Sequence, residues 1–95
     1  MKTPRLPKVT AYNMTGNSGR EVPNQLIIEI PKFTLFQSYG SIIVCRGDGG
    51  KVYLDKRYWD YSVTTGRYRS RFLGEDKRET QRKIDSGQYE LVNLN

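Results

Sequence analysis

Ninety-five residues with a net charge of +6, no histidine and a single cysteine set the first limits. That length supports one small domain, burying only a little over ~60 % of the surface its unfolded chain exposes. Without histidine the chain has no usual general base, no Ser-His or Cys-His nucleophile pair and no common zinc ligand set, and one cysteine closes no disulfide within the chain.

Residues 1–24 hold three of the four prolines, Asn13, Asn17 and two glycines, with little apolar periodicity. That is the composition of a flexible basic arm, and a single folded domain is expected over residues 25–95. Its first strand is LIIEI, residues 26–30, stopped by Pro31 and placed near a sheet edge because proline cannot donate to a ladder. KFTLFQSYG follows as a second extended piece. SIIVC, residues 41–45, is apolar on consecutive positions, which predicts a central strand covered on both faces, with Cys45 a small core residue rather than a reactive thiol. Asp48-Gly49-Gly50 supplies the positive φ angles of a tight hairpin, and the chain returns as KVYLD.

Beyond Tyr58 the period changes from two to about 3.6. Ser62, Thr64 or Thr65 can each cap a helix. Tyr61, Thr65, Tyr68 and Phe72 fall at spacings of 4, 3 and 4 on one helical face, and Gly74 offers a left-handed C-cap. A second helix, EDKRETQRKIDS, begins with two acidic residues at its positive end and carries a Glu79–Lys83 pair at i,i+4 spacing. Only Ile84, helped by Thr80, gives it a core contact. After Gly87 the chain ends in a strand, QYELVNL. The order predicts an α+β fold: about four antiparallel strands with two short helices on one face.

Charge is unevenly placed. Residues 1–20 carry +4 and residues 56–83 carry nine basic against four acidic side chains, while 21–55 and 84–95 are slightly acidic. Such an excess suits a polyanion or an acidic partner surface, and equally keeps a small protein in solution. The second basic segment contains YWDYSVTTGRYRSRFLG, with the only tryptophan, three of the seven tyrosines and arginine at every second position from 67 to 71. On a helical wheel Arg69 lies about 200° from Arg67, so the three arginines form no single row. The leading reading makes Trp59, Tyr61, Tyr68 and Phe72 structural, packed toward the sheet, with Arg67 and Arg71 flanking them. The other reading is contact with nucleic acid or a partner through Arg67, Arg71, Lys77, Arg78 and Arg82, with Lys56 and Arg57 beside them. Helix, Gly74, helix matches a helix-turn-helix only weakly, since the second helix has too few apolar residues to pack as a recognition helix.

No cofactor or metal is implied. The carboxylates form no pair in an apolar frame that would split their pKa values, and a metal-dependent nuclease built on Asp48, Asp55 or Asp60 is the catalytic alternative. The expectation is a protein that is not an enzyme. Arg46-Gly47-Asp48 spells the adhesive RGD tripeptide, but its glycine-rich turn explains each residue locally. No apolar run reaches the ~18 residues of a membrane span, and the first residues lack a signal-peptide core. A cytoplasmic protein with no membrane partner is expected.

FQSYGSIIV, KVYLDKRYWDYSVTTGRYRSRFLG and KIDSGQYELVNLN resemble a family of small uncharacterised proteins of tailed bacteriophages. The resemblance covers roughly the last sixty residues and leaves out the N-terminal arm. Its most specific part is WDYS-x-TT-x-x-Y-x-x-x-FL, here Trp59-Asp60-Tyr61-Ser62, Thr64-Thr65, Tyr68 and Phe72-Leu73. It implies a virus-encoded protein working in the cytoplasm of a bacterial host, and no particular activity. In that setting a small protein without catalytic groups is expected to bind and inhibit or modulate a host machine that handles nucleic acid, as an anti-defence factor (anti-CRISPR among them) or a host-takeover factor. Two alternatives stand beside it. One is a stand-alone DNA- or RNA-binding protein that stacks Tyr53, Tyr58 or Trp59 on bases. The other is a small virion or assembly component that self-associates through an exposed strand edge.

Overall fold

The computed structural model describes residues 3–95. Six strands form one sheet in the order β1 (Thr10–Thr15), β2 (Glu21–Ile30), β3 (Phe33–Ser38), β4 (Ser41–Gly47), β5 (Val52–Asp55) and β6 (Tyr89–Val92). Between β5 and β6 run two helices, α1 (Val63–Leu73) and α2 (Lys77–Asp85). The fold is α+β with a mixed sheet. Neighbours are antiparallel from β1 to β5, and β6 lies parallel to β5 because the helical connection returns the chain in the same direction. About four antiparallel strands were expected; the sheet is larger because β1 and the first half of β2 form from the segment read as an arm, and it is mixed because β6 is parallel.

Residues 10–24 are thus not part of a loose arm. They form β1, a turn closed by Gly16 N–H on the Arg20 carbonyl at 2.8 Å, and the start of β2. Of the residues that gave this stretch its loop-like composition, Pro23 and Asn13 sit where the ladder breaks and Asn17 lies in the turn. The β1–β2 register jumps between Asn13 and Thr15, leaving Pro23 and Asn24 (φ 69°) in the irregular part, where a residue without an N–H disturbs no ladder bond. Asn13 Nδ2 donates to the Val22 carbonyl at 2.9 Å and repairs the break. Pro31 likewise marks no edge strand. It occupies the first place of a two-residue β2–β3 turn completed by Lys32 at φ 72°.

The sheet has unequal faces. Phe36, Val44, Val52, Leu54 and Tyr89 point to one side and are buried with Tyr68 and Phe72 of α1. Phe36 stacks on Phe72 with ring centroids 5.9 Å apart. Ile43 joins this core because a register shift between Phe36 and Gln37 inserts it as an extra residue of β4. The apolar run Ile43-Val44 therefore reflects a bulge and not a strand covered on both faces. Alternation turns Leu26, Ile28, Ile30, Leu35, Cys45 and Tyr53 to the opposite side, where all are half-buried and no helix lies over them. Cys45 belongs to this open side, where partial burial pushes its thiol up.

Both helices end as their capping residues dictate. Ser62 Oγ accepts from Thr65 N–H at 3.1 Å, and Gly74 closes α1 at φ 72° with its N–H on Ser70 O. Asp76 caps α2 through Glu79 N–H at 2.8 Å. Lys83 does not pair with Glu79, which takes Arg82 instead. It reaches Glu75 Oε1 at 2.7 Å. Glu75 also accepts from Tyr89 Oη at 2.8 Å and Thr80 Oγ1 at 2.7 Å. This is a nearly buried polar cluster rather than a solvated helix start, and it ties α2 to β6. Burial opposes the charge on Glu75, but the bonds from Lys83, Thr80 and Tyr89 outweigh it and hold the carboxyl below its usual range.

Candidate functional site: a basic cleft on the helical layer

The connection from β5 into α1 is built on Asp55. Its carboxylate, 1 % exposed, accepts the N–H groups of Arg57 (3.1 Å) and Tyr58 (2.9 Å) on one oxygen and of Leu94 (2.8 Å) on the other. Desolvation resists its ionisation, yet these donors and the Asn95 amide together lower its pKa. The turn so formed leads into Trp59, whose ring lies against the Arg69 guanidinium at 5.0 Å. Arg69 is the largest fully buried side chain, 1 % exposed. Its Nη1 donates to the Trp59 carbonyl and lies 3.4 Å from Asp60 Oδ1. Lys77 Nζ holds the other Asp60 oxygen at 2.7 Å, so α1, α2 and the β5–α1 turn meet on one carboxylate. Burial works against charge on Asp60, and the two cations overcome it to lower its pKa.

An open cleft of about 560 Å³ lies on this junction, lined by Asp60, Ser62, Gly66, Arg67, Arg69 and Lys77 among others. A second concavity adjoins it along α2, between Lys77, Arg78, Gln81, Arg82 and Asp85. Four of the expected binding residues, Arg67, Lys77, Arg78 and Arg82, therefore line adjoining surfaces. Among the described residues Arg67 and Arg78 face no carboxylate, whereas Lys77 and Arg82 are exposed but paired. Lys56 and Arg57 stand on the turn leading to the cleft, Arg57 over the Tyr58 ring at 5.4 Å. Arg71 is drawn elsewhere. It donates to the Thr15 carbonyl at 2.9 Å and to Asn17 Oδ1, and so fastens the β1–β2 turn to α1.

The expected structural aromatics divide. Tyr68 and Phe72 are buried and Trp59 packs against the core. Tyr61 is 54 % exposed, edge-on to Tyr58 at 5.7 Å. Ser62 starts the helix one residue after Tyr61, which consequently never joins the Tyr68–Phe72 face. The helical wheel sets Arg69 apart from Arg67 without giving it a neighbour; burial between Trp59 and Gly66 could not be read from its alternation with Arg67 and Arg71. The signal that could have found it is the glycine one turn earlier. Gly66 sits inside α1 at about 1 kcal/mol relative to alanine.

A model of a family of unknown function, DUF8033, matches residues 8–88. The chain belongs to this family. No curated protein and no solved structure matches. The DUF8033 span takes in the β1–β2 hairpin, the cleft and both helices. Within it, among the described residues, no three or more acidic or cysteine side chains gather in a metal-ligand cluster. Asp55 and Asp60 are committed to backbone amides and to cations, and Asp48 lies in the exposed β4–β5 turn. No helix is long and apolar enough to cross a membrane.

Proposed function

We propose that this DUF8033 chain is a non-catalytic, phage-type accessory protein that docks through its helical layer on a host nucleic-acid-handling machine and inhibits or modulates it in the bacterial cytoplasm. The observation carrying this reading is the continuous basic surface formed by Arg67, Lys77, Arg78 and Arg82, with Tyr61 exposed beside it. Cations there meet phosphates without desolvating a buried group, and an exposed tyrosine can stack on a base. The tailed-phage resemblance supplies the setting. The test compares tagged wild type with the Arg67→Glu/Arg78→Glu variant in bacterial extracts, with and without nuclease. Capture of a nucleic-acid-handling complex by wild type and its loss in the variant is the expected result. Recovery of free nucleic acid alone would turn the reading to a stand-alone binder. In that event affinity for a single strand should fall steeply with salt, and the double variant should flatten the slope by about 1.4, at ~0.7 per phosphate.

The uncovered side of the sheet favours a second reading, an assembly component that pairs with its own copy. That face is apolar, and its Lys51–Glu90 ion pair at 2.9 Å leaves it locally neutral, so two copies can meet there without the repulsion their +6 charges impose elsewhere. Size-exclusion chromatography should then show a dimer or larger species that Leu35→Lys converts to monomer. A plain monomer at high micromolar concentration would remove this reading.

A further inference from the structure

We infer that the cleft between the N-terminal half of α1 and the start of α2 seats one phosphate group, held by Arg69 with Lys77 and Arg67. The inference deepens the proposed function, on which its nucleic-acid arm rests, and stands on three observations. The first is Gly66. A Cβ added there would lie 3.6–3.7 Å from the two terminal nitrogens of Arg69, an ordinary contact. No packing requirement therefore explains a helix-weakening residue in the middle of an eleven-residue helix. Its effect is to keep a methyl group off the buried guanidinium where the two residues line the cleft.

The second observation is the state of Arg69 itself. The side chain is 1 % exposed, lines the cleft, and its Nε has no hydrogen-bond partner. A buried guanidinium is stable only when its donors and charge are matched. Its one carboxylate, Asp60 at 3.4 Å, is shared with Lys77 at 2.7 Å. The third observation is the local balance. Arg67, Arg69 and Lys77 line the cleft with Asp60 as its one carboxylate, an excess of two positive charges beside the positive end of α1. A phosphate carries up to two negative charges and enough acceptors to serve all three cations. Either a free phosphate or a phosphate of a nucleic-acid strand has this chemistry.

Trp59, the only tryptophan, lies on the Arg69 guanidinium and reports directly on the site. The full chain is titrated at constant ionic strength with inorganic phosphate, with chloride as control, and with oligonucleotides bearing a 5′-phosphate or a 5′-hydroxyl. A saturable change in Trp59 emission with phosphate but not chloride is expected. Gly66→Ala is expected to weaken that response at least tenfold while melting at the same or a higher temperature, which separates loss of the site from loss of the fold. Tighter binding of the 5′-phosphorylated strand identifies a nucleic-acid terminus as the source; equal binding with a phosphate response identifies a free or internal phosphate. If oligonucleotide binds but inorganic phosphate gives no response and Gly66→Ala binds like wild type, the seat is overturned and the proposed function remains. If phosphate binds and no nucleic acid does, the seat stands and that reading of the basic surface fails.

Discussion

Asp55→Ala is expected to lower the unfolding free energy by about 3 kcal/mol, enough to shift the melting temperature by roughly 15 °C in a domain of this size. The carboxylate is buried and accepts from three backbone N–H groups drawn from two segments, residues 57–58 and 94. Alanine leaves those donors without an acceptor in a place water reaches poorly. A chain of this length has a total stability of only about 5–14 kcal/mol, so the loss is a large part of the whole. Thermal or urea unfolding measures it, and a change below about 1 kcal/mol would show that the turn holds without its anchor. The pH dependence has a definite sign. Asp55, Asp60 and Glu75 all have folded pKa values below their ordinary ones. Their stabilisation is fully present above the unfolded values near ~4 and is lost as pH falls through the lower folded values. Acid unfolding should therefore steepen below about pH 4 in the wild type and be shallower in Asp55→Ala.

Arg69→Ala should cost about 2–5 kcal/mol, the range for emptying the space of a large buried side chain. The Trp59 carbonyl loses its donor, Asp60 keeps only Lys77, and the indole loses the guanidinium stacked on it. Unfolding measurements should show the loss, and Trp59 emission in the folded fraction should move to the red as water reaches the ring. Arg67→Ala, at an exposed site without a partner, should stay within ~0.5 kcal/mol. Equal effects at the two positions would contradict the assignment of Arg69 to the interior.

Elements with strong local signals could be read from the chain alone. A hydroxyl N-cap among Ser62, Thr64 and Thr65, the Gly74 C-cap, the glycine-rich β4–β5 turn and the Tyr68–Phe72 face all depend on contacts within a few residues, and the structure contains each of them, with Ser62 the cap. What could not be read depends on partners distant in sequence. The N-terminal hairpin hid behind Pro23 and two asparagines because its irregular residues dominate its composition. Glu75 looked solvated until Lys83, Thr80 and Tyr89 were brought around it. Arg71 looked like a surface cation until Thr15 and Asn17 were folded back to meet it. Of the basic cleft, the charged rim was legible and the buried Arg69 at its floor was not, since nothing in an alternating arginine pattern says which one turns inward.

The parallel placement of β6 beside β5 also orders events in time. Pairs from β1 to β5 are joined by short turns and can form from local contacts, whereas β6 pairs only after the 33 residues 56–88 have been gathered. Closing so long a connection costs more chain entropy than closing a turn. The meander is thus the part able to assemble early, and the helical layer docks with β6 as a later unit. Opening in the reverse direction would release Leu94 from Asp55 and the β6 ladder from β5 in the same step. The basic cleft, being made of that later unit, exists only in chains that have completed the sheet.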